Sequence, residues 1–251
     1  MKKIYCWLAC LCLLLSVTQS FAADVTLYLT RHGKTMFNTV HRAQGWADTP
    51  LTPAGVEVAR QLGKGLKDVD FAAVYSSDAG RARETARLIV DGGIKPLAIN
   101  ERKEIREVGF GSFEGDLDPN MWGAAAKYAG FDSDALLMKS FVAGKTSMAD
   151  LIDAVAGADP SGTAENYRTV ADRMIRGITA MAEESQGKEK RNILVVSHGM
   201  AIATLLNELG YKKLKQPLQN ASVTKIRFTD DRKLIVETVG DMSYVELGKT
   251  K

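Results

Sequence analysis

Cysteine is missing from almost the whole chain: Cys6, Cys10 and Cys12 are the three that occur, and all lie close to the start. A fold assembled from the remainder carries no disulfide and no thiolate metal site. Net charge is also scarce. The formal balance is +3, and Lys2 and Lys3 account for two of those units, so nothing in it advertises a nucleic acid or an anionic membrane surface as partner. No apolar run reaches the ~20 residues that a membrane-spanning helix needs. The longest, from Ile4 to about Val17, follows Lys2 and Lys3 and gives way to Ser20-Phe21-Ala22. That is the layout of a secretory signal peptide. The expectation is a leader over residues 1–22, a domain over 23–251 in an extracytoplasmic compartment (periplasmic or secreted), and no membrane span once the leader is gone.

Several cofactor signatures are absent as well. "GKT" occurs at Gly33, Gly144 and Gly248, but the glycine that a P-loop needs five residues earlier is replaced by Tyr28, Lys139 and Ser243. There is no H-E-x-x-H and no cysteine pair, and no metal or cofactor is expected.

What is present is an alternation of strand and helix patterns. Val25–Thr30 reads as a buried strand, and Thr52-Pro53 opens a helix with a capping hydroxyl and a proline at its first position. Val56, Ala59, Leu62 and Leu66 recur at helical spacing in it. Ala73–Ser76 reads as a strand, Arg81–Val90 as a helix and Pro96–Ile99 as a short strand. Residues 116–162 show helical periodicity without a strand signal and read as a helical insertion. A longer helix follows around Tyr167–Met181, then the apolar strand of "RNILVVSHGM", a helix over Gly199–Leu209, and a last strand pair, Ser222–Thr229 and Lys233–Val239. The alternation predicts an α/β fold, a three-layer α/β/α sandwich with a mostly parallel central sheet.

The two most apolar strands end alike. "LYLTRHG" closes on Arg31-His32-Gly33 and "ILVVSHG" on Ser197-His198-Gly199, which uses two of only three histidines. Ligands of open parallel sheets collect at the carboxyl ends of strands, so His32 and His198 are placed to share one pocket, with Gly33 and Gly199 permitting a sharp turn and close backbone approach. His41 has no such setting and reads as an ordinary surface histidine. In "YSSDAGRARETA", Arg81 stands at the start of a helix that follows a strand, where a guanidinium fork and free backbone N–H groups favour an anion. "IREVGFGSFEG" adds a glycine-punctuated loop with two carboxyls beside apolar side chains, Glu107 and Glu114. Either could serve as a proton donor, and spacing does not choose between them.

These stretches, "RHGKTMFN", "RAQGWADTPLTPAG", "YSSDAGRARETA", "REVGFGSFEG" and "VVSHGMAIATLL", together resemble the histidine phosphatase superfamily, in its phosphoglycerate mutase-like branch, and run in that family's order. The resemblance implies His32 as the nucleophile that becomes phosphohistidine and Arg31, Arg81 and His198 as a phosphate clamp. It implies Glu107 as the general acid and base, and Asn38, Gln44, Gly45 and Gly199 around the same pocket. Ala79 stands where the family often has leucine, and Phe113 where it often has tryptophan. The run of tryptophan, tyrosine and paired arginines that cofactor-dependent mutases carry after the acid is absent, which favours hydrolysis. The "RHGxRxP" pattern of the acid phosphatase and phytase branch is absent too, since Lys34 and Met36 occupy those places. The expectation is a metal-independent phosphomonoester hydrolase acting on a small molecule. The alternatives are a mutase-type phosphoryl transferase and a non-catalytic phospho-ligand binder. In this reading Met121, Trp122, Met138 and Met148 of the insertion line an apolar cap over the pocket or pack it onto the sheet.

Overall fold

The structure, a computed structural model, describes residues 24–189, 191–214 and 216–250, so the signal-peptide expectation lies outside the described residues. Strand β1 (Val25–Arg31) points Val25, Leu27 and Leu29 to one face of the sheet and Tyr28 to the other, and all of these are buried. A strand apolar on both faces belongs inside a sheet covered twice. After a single helical turn, α1 (Met36–Val40), comes α2 (Pro53–Gly65), capped by the Thr52 hydroxyl with Pro53 in its first turn as the sequence predicts. Next are β2 (Phe71–Ser76), α3 (Gly80–Asp91) and β3 (Ile99–Glu101). Three helices fill the insertion: α4 (Asp118–Tyr128), α5 (Asp134–Val142) and α6 (Met148–Ala158). The chain closes with α7 (Tyr167–Glu183), β4 (Asn192–Ser197), α8 (Gly199–Glu208), β5 (Val223–Phe228), β6 (Leu234–Asp241) and α9 (Ser243–Lys249).

The sheet order is β3-β2-β4-β1-β5-β6, with β3, β2, β4 and β1 parallel and the last two strands antiparallel. One face packs on α7, α8 and the insertion helices, with Met174, Ile178, Leu205 and Leu206 in its core. The other packs on α2, α3 and α9 through Leu62, Leu66, Ala82, Ile89 and Val245. This is the three-layer, mostly parallel α/β arrangement predicted. Because β1 and β4 are parallel neighbours with Arg31 opposite Ser197, their ends deliver His32 and His198 side by side. Among the described residues no helix is long and apolar enough to cross a membrane.

The third strand departs from its expected place. Pro96 has no N–H for a ladder, and pairing with β2 begins only at Ile99, opposite Val74.

Candidate active site

His32 and His198 face each other with ring centroids 5.2 Å apart and planes inclined at 59°. His32 is held by its backbone N–H on Ser197 O at 3.0 Å and by its ring, whose Nδ1 lies 2.8 Å from Gly33 O. A carbonyl only accepts, so Nδ1 carries the proton and Nε2 presents its lone pair. The tip of β1 is fixed by close backbone approach: a Cβ on Gly33 would stand 2.5 Å from Gly55 O in α2, and one on Gly55 would stand 2.1 Å from Lys34 O, which explains glycine at both positions. Gly33 N–H donates to Thr85 Oγ1, tying the tip to α3 as well.

His198 caps α8 and is fully buried; its Nε2 lies 2.8 Å from Ser77 Oγ at the end of β2. The Ser77 oxygen also accepts from Ala79 N–H, and with its own proton donated to Nε2 the His198 proton sits on Nδ1, free to face a ligand. Burial pushes both imidazoles well below the usual histidine value, and the Arg81 guanidinium adds to it in each case. Arg31 contributes further at His32, and His32 itself at His198. Two buried rings beside two guanidiniums thus both favour the neutral form. Arg31 in turn is lowered by its own burial, against the attraction of Glu107.

Glu107 is the carboxyl that reaches this cluster. It is 6 % exposed, and its oxygens accept N–H groups from Met200 (3.1 Å), Ala201 (2.7 Å) and Val108 (3.0 Å). The same helix N-terminus that follows His198 thus holds the acid. Glu114 does different work: it accepts from Gly45, Trp46, Ala47 and Phe110 N–H at 2.7–3.1 Å and so shapes the 45–47 loop. The choice that spacing left open is made by which loop each carboxyl ties down.

Arg81 is fully buried, and its terminal nitrogens are engaged within the protein: on Ala47 O and Asp48 at 3.0 and 2.9 Å, and on Gln44 O and Gly45 O at 3.3 and 2.7 Å. The expectation of a free fork is thus modified, because the loop folded over α3 satisfies both ends. What remains is its charge and its Nε, which, with Arg31 Nε and His198 Nδ1, has no hydrogen-bond partner among the described residues. Three buried donors in one cationic cluster suit a tetrahedral dianion.

The remaining residues implied at the pocket take varied positions. Asn38 closes a capping box with Thr35, and Asn220 Nδ2 reaches both its Oδ1 (3.4 Å) and His32 O (2.9 Å). The Gln44 amide is used by Thr35 and Thr49 hydroxyls at 2.6 and 2.9 Å. Gly45 has its N–H on Glu114 and its carbonyl on Arg81, and a Cβ there would meet Val108 O at 2.2 Å. Gly199 lies under Arg31, whose Nε is 3.3 Å from where a Cβ would stand.

With this geometry in place, the comparisons decide the family: residues 27–135 and 139–239 match the histidine phosphatase superfamily (branch 1). The chain belongs to that superfamily. A phosphoglycerate mutase from Bacillus anthracis str. Sterne has a similar structure, with a TM-score of 0.85 and 47% identity, covering 91% of this chain and 99% of that one. The probable phosphoglycerate mutase GpmB of Salmonella choleraesuis is 27% identical over 228 residues, 88% of this chain and 94% of its own length. The fold also recurs in the Entamoeba histolytica phosphoserine phosphatase solved with 3-phosphoglyceric acid, at 22% identity and TM-score 0.64, over 88% of this chain and 98% of that one. The chain is thus similar in sequence to proteins named as phosphoglycerate mutases and shares its fold with a phosphatase.

Sequence reasoning missed several of the groups that organise the site. Ser77 lies inside a quoted motif but only the β2–β4 pairing brings it to His198. Asn220 and Leu218, whose carbonyl takes Arg31 Nη1 at 2.5 Å, arrive from a loop with no local signal. Arg173 of α7 donates to the carbonyls of Glu104, Arg106 and Glu107 while paired with Glu165 at 2.7 Å, so it anchors the acid's loop from behind. Among the described residues no three His, Cys, Asp or Glu side chains gather as a metal site.

On the Arg31–Glu107 side, Trp122, Met138 and Met148 of the insertion line a cavity of about 230 Å³, while Met121 packs into the core.

Proposed function

We propose that the protein is a phosphomonoester hydrolase that works through a covalent phosphohistidine, without a metal, in an extracytoplasmic compartment. The single observation that carries it is the His32 ring, pinned through Nδ1 to Gly33 O so that Nε2 is the free nucleophile. Nucleophilic catalysis needs that lone pair unprotonated, and the lowered proton affinity of His32 favours it. Nε2 attacks phosphorus as the ester P–O bond breaks, and Glu107 gives its proton to the leaving alkoxide. Glu107 then takes a proton from water, which attacks phosphorus and breaks the P–N bond, releasing phosphate and restoring His32. Arg31 and Arg81 balance charge on the equatorial oxygens, the main demand of phosphoryl transfer, and His198 Nδ1–H donates to them. Asn38 and Gln44 hold the loop that frames the pocket. The location rests on the leader-like residues 1–22, and secretion of a reporter fused behind them tests it.

Hydrolysis of p-nitrophenyl phosphate across pH, with and without chelator and beside His32→Ala, tests the chemistry. Turnover that survives chelator and disappears in the variant supports the reading. A pH–rate profile unchanged by Glu107→Gln would sink the role given to that residue. The mutase reading draws on the 47% identical relative and is separated by supplying a phosphoglycerate with a bisphosphorylated primer and looking for the isomer instead of free phosphate.

A further inference from the structure

We infer that the alcohol released at this site is apolar: the substrates are phosphate monoesters of an aromatic or short aliphatic alcohol, not of a polyol or hydroxy acid. This rests on the hydrolase reading above. The leaving oxygen must lie beside Glu107, and among the cavities there are two large ones. One, of about 400 Å³, is walled by Asp48, Asp78, Arg83 and Arg106 and includes neither Arg31 nor Gly199. The other, of about 230 Å³, joins Glu107 to Gly199 and to Arg31 of the proposed phosphate clamp, and so is the one an ester would enter with its phosphorus between those groups. Beyond those residues its described wall is Trp122, Met138, Phe141, Met148, Met200 and other apolar side chains, with Gln216. Arg31 and Glu107 are the charged groups among the described residues of that lining, and both are committed to the phosphoryl end. A carboxylate or a row of hydroxyls pushed into it would lose water without finding partners. The volume is below the ~300–1,000 Å³ of drug-sized sites, which suits one or two rings. Three methionines make the wall adaptable, so several apolar alcohols of that size are accepted.

The test pairs esters matched in leaving-group acidity: phenyl with 1-naphthyl phosphate, and n-hexyl phosphate with glycerol 3-phosphate, with 3-phosphoglycerate added. The expected result is a kcat/KM roughly tenfold higher for naphthyl than phenyl, and at least that ratio for hexyl over glycerol, from the extra apolar surface buried. Met138→Lys, a partly exposed position, lowers the naphthyl value and raises that of 3-phosphoglycerate. The same esters are titrated calorimetrically against His32→Ala, which reads the pocket without turnover. Turnover with a flat or reversed order overturns the inference and leaves the hydrolase reading standing. The apolar order in binding, with no ester turned over by the wild type, keeps the inference and removes the hydrolase. No binding and no turnover removes both.

Discussion

The pair of buried imidazoles makes the acid stability of the protein a test of the site's electrostatics. His32 and His198 are held below the ordinary value of 6.5, in both cases first by burial and next by Arg81. Unfolding exposes both rings to water, where they take up protons that the folded state refuses. The unfolded chain then binds more protons, so stability rises with pH. The contribution is complete above the unfolded value near 6.5 and is lost as pH falls from there toward the folded values. Each histidine gives a slope of at most about 1.4 kcal/mol per pH unit. While both stay neutral in the folded state, the pair costs roughly 4 kcal/mol between pH 7.5 and 5.0, against a typical total of about 5–15. Urea unfolding at the two pH values measures this in the wild type, in His32→Asn and in His198→Asn. Each variant shrinks the pH-dependent loss by about 2 kcal/mol whatever its effect at pH 7.5. Equal losses in wild type and both variants would refute the argument.

Glu114→Gln removes the carboxylate from four backbone N–H groups; it is expected to cost about 2–3 kcal/mol in urea unfolding and to loosen the loop around Arg81, raising KM for p-nitrophenyl phosphate. Ser77→Ala takes away the partner that orients the His198 proton and also leaves Ala79 N–H unpaired, so it is expected to cost about 1–3 kcal/mol and to lower kcat on the order of tenfold in the folded protein; an unchanged kcat contradicts the tautomer argument. Arg173→Met strands Glu165 and frees three carbonyls behind Glu107, with an expected stability loss of about 3–5 kcal/mol and a shifted pH–rate profile; a normal profile in the surviving folded protein speaks against its positioning of the acid. Leu62→Ala, deep between α2 and the sheet, costs about 3 kcal/mol by calorimetry while kcat/KM stays within twofold, because the cavity it leaves is on the far face from the pocket.

Much of this molecule is decided locally. The apolar runs of β1 and β4 dictate buried strands whatever surrounds them, since water excludes their side chains on both faces. Thr52-Pro53 starts a helix by satisfying its own end. The two His-Gly tips can be read directly because a parallel sheet has only one end for them. Other features have no local signature. The C-terminal helix α9 is hidden in a sequence with Gly248, a residue that discourages helix in isolation. There glycine is what permits contact, for a Cβ at 248 would overlap Gln61 O and one at Gly65 would overlap Tyr244 O. The single turn α1 is stabilised by a capping box in which Asn38 takes the place of the usual glutamate or glutamine.

The site divides the same way. Residue type and strand ends alone single out His32, His198, Arg31 and Arg81 as an anion-binding set. Which carboxyl joins them, where the imidazole protons sit and what surrounds the leaving group depend on chain segments far apart in sequence. Met200 and Ala201 N–H groups select Glu107, Ser77 orients His198, and three insertion helices build the apolar wall. A hydrogen bond or a cavity wall exists only once those segments are brought together, and only tertiary packing does that.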